Sequence, residues 1–379
     1  MAWAMELVDS FYLNDVNIDR IYLLRQHAQV RRWGGWHGSG RFRQGSFMTV
    51  SRRTLISALA PAALQLTAGA AWSKGHRLQL SAAYGDGIFH TQNLRNFAAR
   101  VHADTQQALE IDVVSNSALK PMAQVLPALK RNEIQFGEVL MSSYVDMHPL
   151  LGMDSLPFIV RGFDEAARLW QLTRPVLQEF LLAQQGVRLL FAVPWPAQGL
   201  FCRRPVNSIV DLRGLRLRVQ SDATKRLAEL WGAQPVVLAA GDLGMVLEQG
   251  GIDAMVSSSA TGVDSQAWKT MKVFLDIKAW IPKNMLCVSE LAWKGFAEPE
   301  RQAISRAAVL AEKEGWALAQ QADELGKKVL VDNKMSVTAP SADLRRMLDL
   351  VGERFGREWV AKAGSSNMSV LMEYNKKRH

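Results

Sequence analysis

Apolar and polar positions along this chain repeat with two periods, and the switches between them predict its elements. Leu215, Leu217 and Val219 alternate with Arg216 and Arg218, the period of two that marks a strand. A helix pattern follows, capped by Ser221 or Asp222, carrying Leu227, Leu230 and Trp231 at helical spacing and stopped by Gly232. The same reading predicts strands over 78–83, 109–114, 134–141, 187–193, 235–238, 254–256 and 335–338. It predicts helices over 91–101, 122–129, 164–182, 243–248 and 299–331, the last with acids early and Lys327 and Lys328 near its end, as the helix dipole favours. Strands alternating with helices imply an α/β fold with a mostly parallel sheet and helices on both faces. Pro194, Pro196 and Gly199 interrupt the pattern and mark a crossing between two domains.

Residues 1–47 break this regularity. They hold clustered Trp, Arg and Gly (Arg31 to His37) with no lasting periodicity. From Met48 the chain reads Ser51, Arg52, Arg53, Thr54, Leu55, Ile56, then a mostly apolar run to Ala71 with Ala68, Gly69 and Ala70 as a small-residue cleavage site. Residues 48–71 resemble a twin-arginine export signal. The run is short for a membrane span and is interrupted by Pro61, Gln65 and Thr67. Met48 is the expected start, and 1–47 a translated extension that is non-native or disordered.

Composition removes several function classes. The 379 residues carry a formal charge of +9, of which the first 70 residues hold eight arginines against four acids. The excess over the remainder is modest, and no Lys/Arg block is interleaved with aromatics, which argues against a nucleic-acid partner. No histidine pair has metal-ligand spacing, and Cys202 and Cys287 fit no zinc motif, so neither metal nor cofactor is expected. Whether the two cysteines bridge stays open. Ser257, Ser258 and Ser259 stand in a row, but no Gly-x-Ser-x-Gly elbow or His–acid pair accompanies them, so the chain does not read as an enzyme and no catalytic residue is assigned.

The remaining chemistry lies in the arginine strand. An arginine at a strand end facing a helix start can hold a carboxylate through two parallel hydrogen bonds; on an isolated strand both arginines would read as solvated edge charges. The surrounding motifs decide between these. Asp211 to Val219, then Gly232 to Val236, then Gly251 to Ala254, preceded by Asn132 to Gly137 and Leu156 to Phe158, resemble the solute-binding proteins of tripartite ATP-independent periplasmic (TRAP) transporters, the dicarboxylate-binding-protein family. The resemblance runs from about Leu78 to the C-terminus.

That resemblance implies a two-domain periplasmic-binding-protein (Venus-flytrap) fold with crossing strands and a long C-terminal connecting helix. Domain I would be 72–196 plus 284–325, and domain II 197–283 plus 326–379. It implies a periplasmic receptor, without membrane insertion after signal cleavage, that closes on a small organic acid and delivers it to the small and large membrane subunits of a TRAP permease. The alternative is a sensor subunit feeding a two-component kinase. The carboxylate clamp maps to Arg218. A second arginine of several members maps to Gln198, a departure that also resembles the branch binding 2-oxo or 2-hydroxy acids beside a metal ion. That branch's acid two residues after its Asp maps to Met255, against a metal-assisted site. The loop asparagine maps to Ser257, and the glutamate ending the third strand to Leu140.

The other candidates are weighed on their own chemistry. Gln198 is as much at home on a surface turn as against a ligand. Ser257, Ser258 and Thr261 can donate hydroxyl bonds or serve as ordinary caps. Trp195 and Trp280 stand at the expected hinges, where they can wall a pocket or fill core, and Tyr84 and Phe89 follow the first strand, where α/β ligand crevices form. With one clamp and few other polar groups, the expected ligand is a monocarboxylate with a partly apolar body.

Overall fold

The computed structural model describes residues 76–238 and 242–376; the expected extension 1–47 and export signal 48–71 lie outside the described residues. The first lobe builds β1 (His76–Ser81), α1 (Phe89–Asp104), β2 (Leu109–Val114), α2 (Met122–Lys130), β3 (Phe136–Leu140), α3 (Phe163–Phe180) and β4 (Val187–Pro194). In β2 the alternation is literal: Leu109, Ile111 and Val113 are buried while Glu110 and Asp112 face solvent. The chain then crosses to β5 (Gln198–Cys202), β6 (Arg216–Val219), α4 (Asp222–Trp231), β7 (Gln234–Val237), α5 (Leu243–Glu248), β8 (Ala254–Ser258), α6 (Ser259–Asp264) and β9 (Val273–Leu275). It crosses back into β10 (Lys283–Ser289), α7 (Glu290–Gly295) and the 35-residue α8 (Glu298–Asp332), and ends in β11 (Ser336–Thr338), α9 (Ala342–Ala363) and α10 (Ser365–Lys376).

Two sheets result, ordered β2-β1-β3-β10-β4 and β11-β9-β5-β8-β6-β7. Each sheet is mostly parallel, as expected, with a single reversed strand. β10 lies antiparallel between β3 and β4, and β5 antiparallel between β8 and β9. A strand arriving from the other lobe has no helical crossover on its own sheet to turn it round, so it enters in the reverse sense.

The two crossing segments run side by side. Trp195 N–H donates to the Pro282 carbonyl at 2.8 Å, Gln198 N–H to Trp280 at 2.9 Å, and Ala279 N–H to Gln198 at 2.8 Å. Helix α8 is a third connection. Its Ile304, Ala307, Ala308 and Ala311 pack with Phe97 and Phe191 in the first lobe, and its Leu330 with Phe201 and Met255 in the second. Two glycines permit this close docking: a Cβ on Gly315 would lie 2.4 Å from Val193 Cγ2, and one on Gly326 2.7 Å from Ser259 Oγ.

Helix α9 also bridges the lobes, with Leu344, Leu348 and Phe355 in the second core and Trp359 and Ala363 in the first. Within the stretch 326–379, expected in the second domain, α10 buries Val370, Leu371 and Tyr374 in the first lobe's core. The Tyr374 hydroxyl donates to the Ile159 carbonyl at 3.1 Å. Among the described residues no helix is long and apolar enough to cross a membrane.

Candidate functional site

Arg216 and Arg218 leave the same strand and meet opposite fates. Arg216 is paired: its Nε and Nη2 donate to Asp253 Oδ2 at 2.9 Å and Oδ1 at 2.7 Å, and its backbone N–H donates to Oδ2 at 3.0 Å, tying β6 to the turn before β8. Arg218 is 4% exposed, and its one side-chain hydrogen bond among the described residues runs from Nε to the Leu238 carbonyl at 3.2 Å. Its strand neighbours in register are Val236 and Met255, both apolar. Among the described residues no carboxylate lies within 4.0 Å of its guanidinium. Burial pulls its pKa down to about 10, which leaves it charged at neutral pH. A buried cation without a counter-ion costs several kcal/mol, and no carboxylate among the described residues offsets that cost here.

The first lobe contributes a second cluster. The loop after β1 carries Tyr84, and α1 opens with Phe89 and His90. Glu138 of β3 and Asn284 of β10 stand on the two antiparallel strands beside it. Asn284 Nδ2 donates to Glu138 Oε1 at 2.9 Å, Ala83 N–H donates to Glu138 Oε2 at 3.2 Å, and Trp195 Nε1 donates to Asn284 Oδ1 at 3.0 Å. Trp195 stacks edge-on to Tyr84 with ring centroids 4.9 Å apart and to Phe89 at 5.7 Å. Burial raises the Glu138 carboxyl to about 7 and pushes the His90 imidazole down to about 3. Burial and the neighbouring Glu138 charge both push the Tyr84 hydroxyl well above its ordinary value, so it stays protonated.

The Glu138 shift carries a pH signature. Its folded pKa of about 7 lies above the ordinary 4.5, so the stability it contributes is fully present below 4.5 and is lost as pH rises through 7. Glu138→Gln removes this loss. The melting temperature of the variant relative to the parent is expected to climb as pH rises from 4.5 to above 7; a difference that stays flat across that window refutes the assignment.

The sequence profile of the bacterial extracellular solute-binding protein family 7 (DctP) matches residues 82–353. The chain belongs to this family. Its members are solute-binding proteins rather than enzymes. Among solved structures, the chain is similar to two Bordetella pertussis extracytoplasmic solute receptors described as binding pyroglutamic acid. DctP6 is 34% identical with a TM-score of 0.76, covering 79% of this chain and 100% of that one. DctP7 is 36% identical with a TM-score of 0.75, covering 79% and 99%. A marine metagenome TRAP solute-binding protein described as specific for pyroglutamate is 26% identical with a TM-score of 0.74, covering 80% and 99%.

Within this family fold the other expected positions fall as follows. Gln198 opens β5 opposite Ser258, is 6% exposed, and turns its amide back on its own crossing segment, donating to the Pro196 carbonyl at 2.9 Å. Ser258 caps α6: its Oγ accepts from Thr261 N–H at 3.1 Å and lies 2.9 Å from Thr261 Oγ1, so one of the two hydroxyl protons is committed within the cap. Ser257 is buried and, two residues beyond Met255, lies on the Arg218 side of the sheet by strand alternation. Trp280 packs in the second lobe's core with Leu217, Val256 and Leu348, while Tyr84, Phe89 and Trp195 meet as one aromatic wall. Cys202 and Cys287 are free and buried, one in each sheet, which closes the open question of a bridge.

The expectation for the third strand named Leu140 and passed over a neighbouring acid. Glu138 stands two residues before Leu140 and is 3% exposed. Together with His90 and Asn284 it went unmarked in the sequence. The available signal was a charged residue inside an otherwise apolar strand, since carboxylates are rarely buried without partners.

Proposed function

We propose that this chain is a periplasmic receptor that captures a small monocarboxylate between its lobes and delivers it to a TRAP permease. The observation that carries this reading is Arg218: a buried guanidinium with no carboxylate within ion-pair distance among the described residues. A bidentate carboxylate supplies the missing charge and hydrogen bonds together. The aromatic wall of Tyr84, Phe89 and Trp195 suits a compact, partly apolar body. A second carboxylate there would meet Glu138 rather than a cation, which disfavours dicarboxylates. The named relatives that bind pyroglutamic acid support a five-membered lactam acid as the first ligand to test.

Titration calorimetry on protein beginning near Ala71 decides between ligand classes. Pyroglutamate or a related cyclic monocarboxylate is expected to bind one-to-one, more tightly than succinate or malate. Far tighter binding of either dicarboxylate overturns the reading. Export through the twin-arginine route rests on Arg52 and Arg53. Replacing both with lysine is expected to retain the precursor in the cytoplasm; undiminished export of that variant rules the route out.

A further inference from the structure

His90 is the second residue of α1 and its ring is enclosed, 2% exposed, with the Phe89 ring centroid at 4.2 Å and that of Trp195 at 4.4 Å. Its Nδ1 faces Glu138 Oε1 at 3.6 Å. Its Nε2 is buried and has no hydrogen-bond partner among the described residues. Buried polar atoms are nearly always satisfied, and an orphan in an otherwise complete network needs a cause.

The network fixes which kind of partner is missing. Both Glu138 oxygens already accept hydrogen bonds, from Asn284 Nδ2 and from Ala83 N–H. Glu138 therefore presents lone pairs to the ring, and the single imidazole proton belongs on Nδ1. Nε2 is left as an acceptor without a donor. Burial keeps the ring neutral, so this lone pair persists at neutral pH. Trp195 Nε1 is committed to Asn284 Oδ1 and does not fill the gap. The orphan sits within the aromatic wall, beside rings that a compact ligand body would touch.

We propose that His90 Nε2 is a specificity-determining acceptor for a ring N–H of the ligand, selecting lactam monocarboxylates over acids of the same shape that lack the donor. The inference rests on the reading that Arg218 receives the carboxylate, and it assigns the partner of the adjoining ring N–H. A site built to accept a hydrogen bond discriminates strongly against an isostere without the donor, because its own buried acceptor then stays unpaired.

The probes are pyroglutamate and the cyclopentanone carboxylate in which a CH2 group replaces the ring N–H. Titration calorimetry above neutral pH, where Glu138 is ionised, measures both on the parent and on His90 variants. The parent is expected to favour the lactam by roughly 10-fold to 100-fold. His90→Phe keeps an aromatic ring and removes the acceptor; it is expected to bring the ratio close to one while still binding the carbocycle. His90→Gln, whose amide oxygen reaches the Nε2 position, is expected to restore much of the preference. A parent that binds the two acids equally, or a His90→Phe protein that keeps the parental ratio, overturns the proposal. Should His90→Phe not fold, His90→Gln and His90→Asn differ in reach by one methylene and read the same ratio, and equal ratios in those two overturn it. A parent that binds neither acid brings down the carboxylate reading itself, and this proposal with it.

Discussion

Arg218→Ala weakens monocarboxylate binding by about 3–5 kcal/mol, the scale for removing one partner of a buried charge pair. That is a rise of roughly two to three and a half decades in Kd. The expectation follows from where the guanidinium sits: 4% exposed, held at Nε by the Leu238 carbonyl, with apolar strand neighbours in register and no carboxylate at ion-pair distance among the described residues. Arg216 on the same strand is the internal control. Its charge is already matched by Asp253, and it is only half-buried. Arg216→Ala is therefore expected to leave ligand affinity nearly unchanged.

The unliganded protein supplies a sharper discrimination. If Arg218 waits for a ligand, its burial is a net cost in the empty receptor, and Arg218→Ala should leave the melting temperature unchanged or raise it. If Arg218 served an internal ion pair, the same substitution would lower the melting temperature and spare affinity. Calorimetry with pyroglutamate and a thermal melt of the empty protein together decide the matter. Intact affinity with a lowered melting temperature sinks the clamp.

The strand alternation that makes β2 legible depends on one face meeting solvent. The strands that went unread have no such face; nor has β8, which was read from its apolar run alone. β5, β9 and β10 are buried at every position, as Gln198–Cys202, Val273–Leu275 and Lys283–Ser289. Strands covered on both sides lose the period of two. These are also the strands adjoining the lobe crossings, so the mixed sheets were hidden together with the connections that cause them. Helix α8 was legible because its early acids and its late Lys327 and Lys328 are local properties of the sequence.

The candidate site divides in the same way. Arg218 was found through neighbouring motifs, but what separates it from Arg216 is Asp253, 37 residues further along the chain. The Glu138–Asn284 contact spans 146 residues and the Trp195–Asn284 contact 89. None of these pairs has a spacing that a local pattern can report. They exist because β10 returns between β3 and β4 and sets Asn284 beside both Glu138 and Trp195.

The same return strand carries the position expected to be most sensitive for stability. Lys283 opens β10 directly after the crossing segment and is 1% exposed; Asp154, in the helical turn Pro149–Ser155, is 4% exposed. Lys283 Nζ lies 3.5 Å from Asp154 Oδ2, and that oxygen also accepts the Lys283 backbone N–H at 2.8 Å. Asp154 Oδ1 accepts from Ser155 Oγ at 3.0 Å. Burial raises the Asp154 carboxyl and lowers the Lys283 ammonium, each offset by the other's charge, so neither is tolerable alone. Asp154→Ala strands a desolvated ammonium and orphans a backbone N–H at the lobe crossing, and is expected to destabilise the protein by about 3–5 kcal/mol. Lys283→Met should cost less, because the carboxyl keeps its backbone donor and can take up a proton. Replacing both charges, Asp154→Leu with Lys283→Met, should recover a large part of the loss, since well-packed apolar residues often match a buried ion pair. Denaturant midpoints for the two single variants and the pair close a double-mutant cycle. An Asp154→Ala protein within about 1 kcal/mol of the parent would place it among ordinary point substitutions and show that this pair does not anchor the crossing.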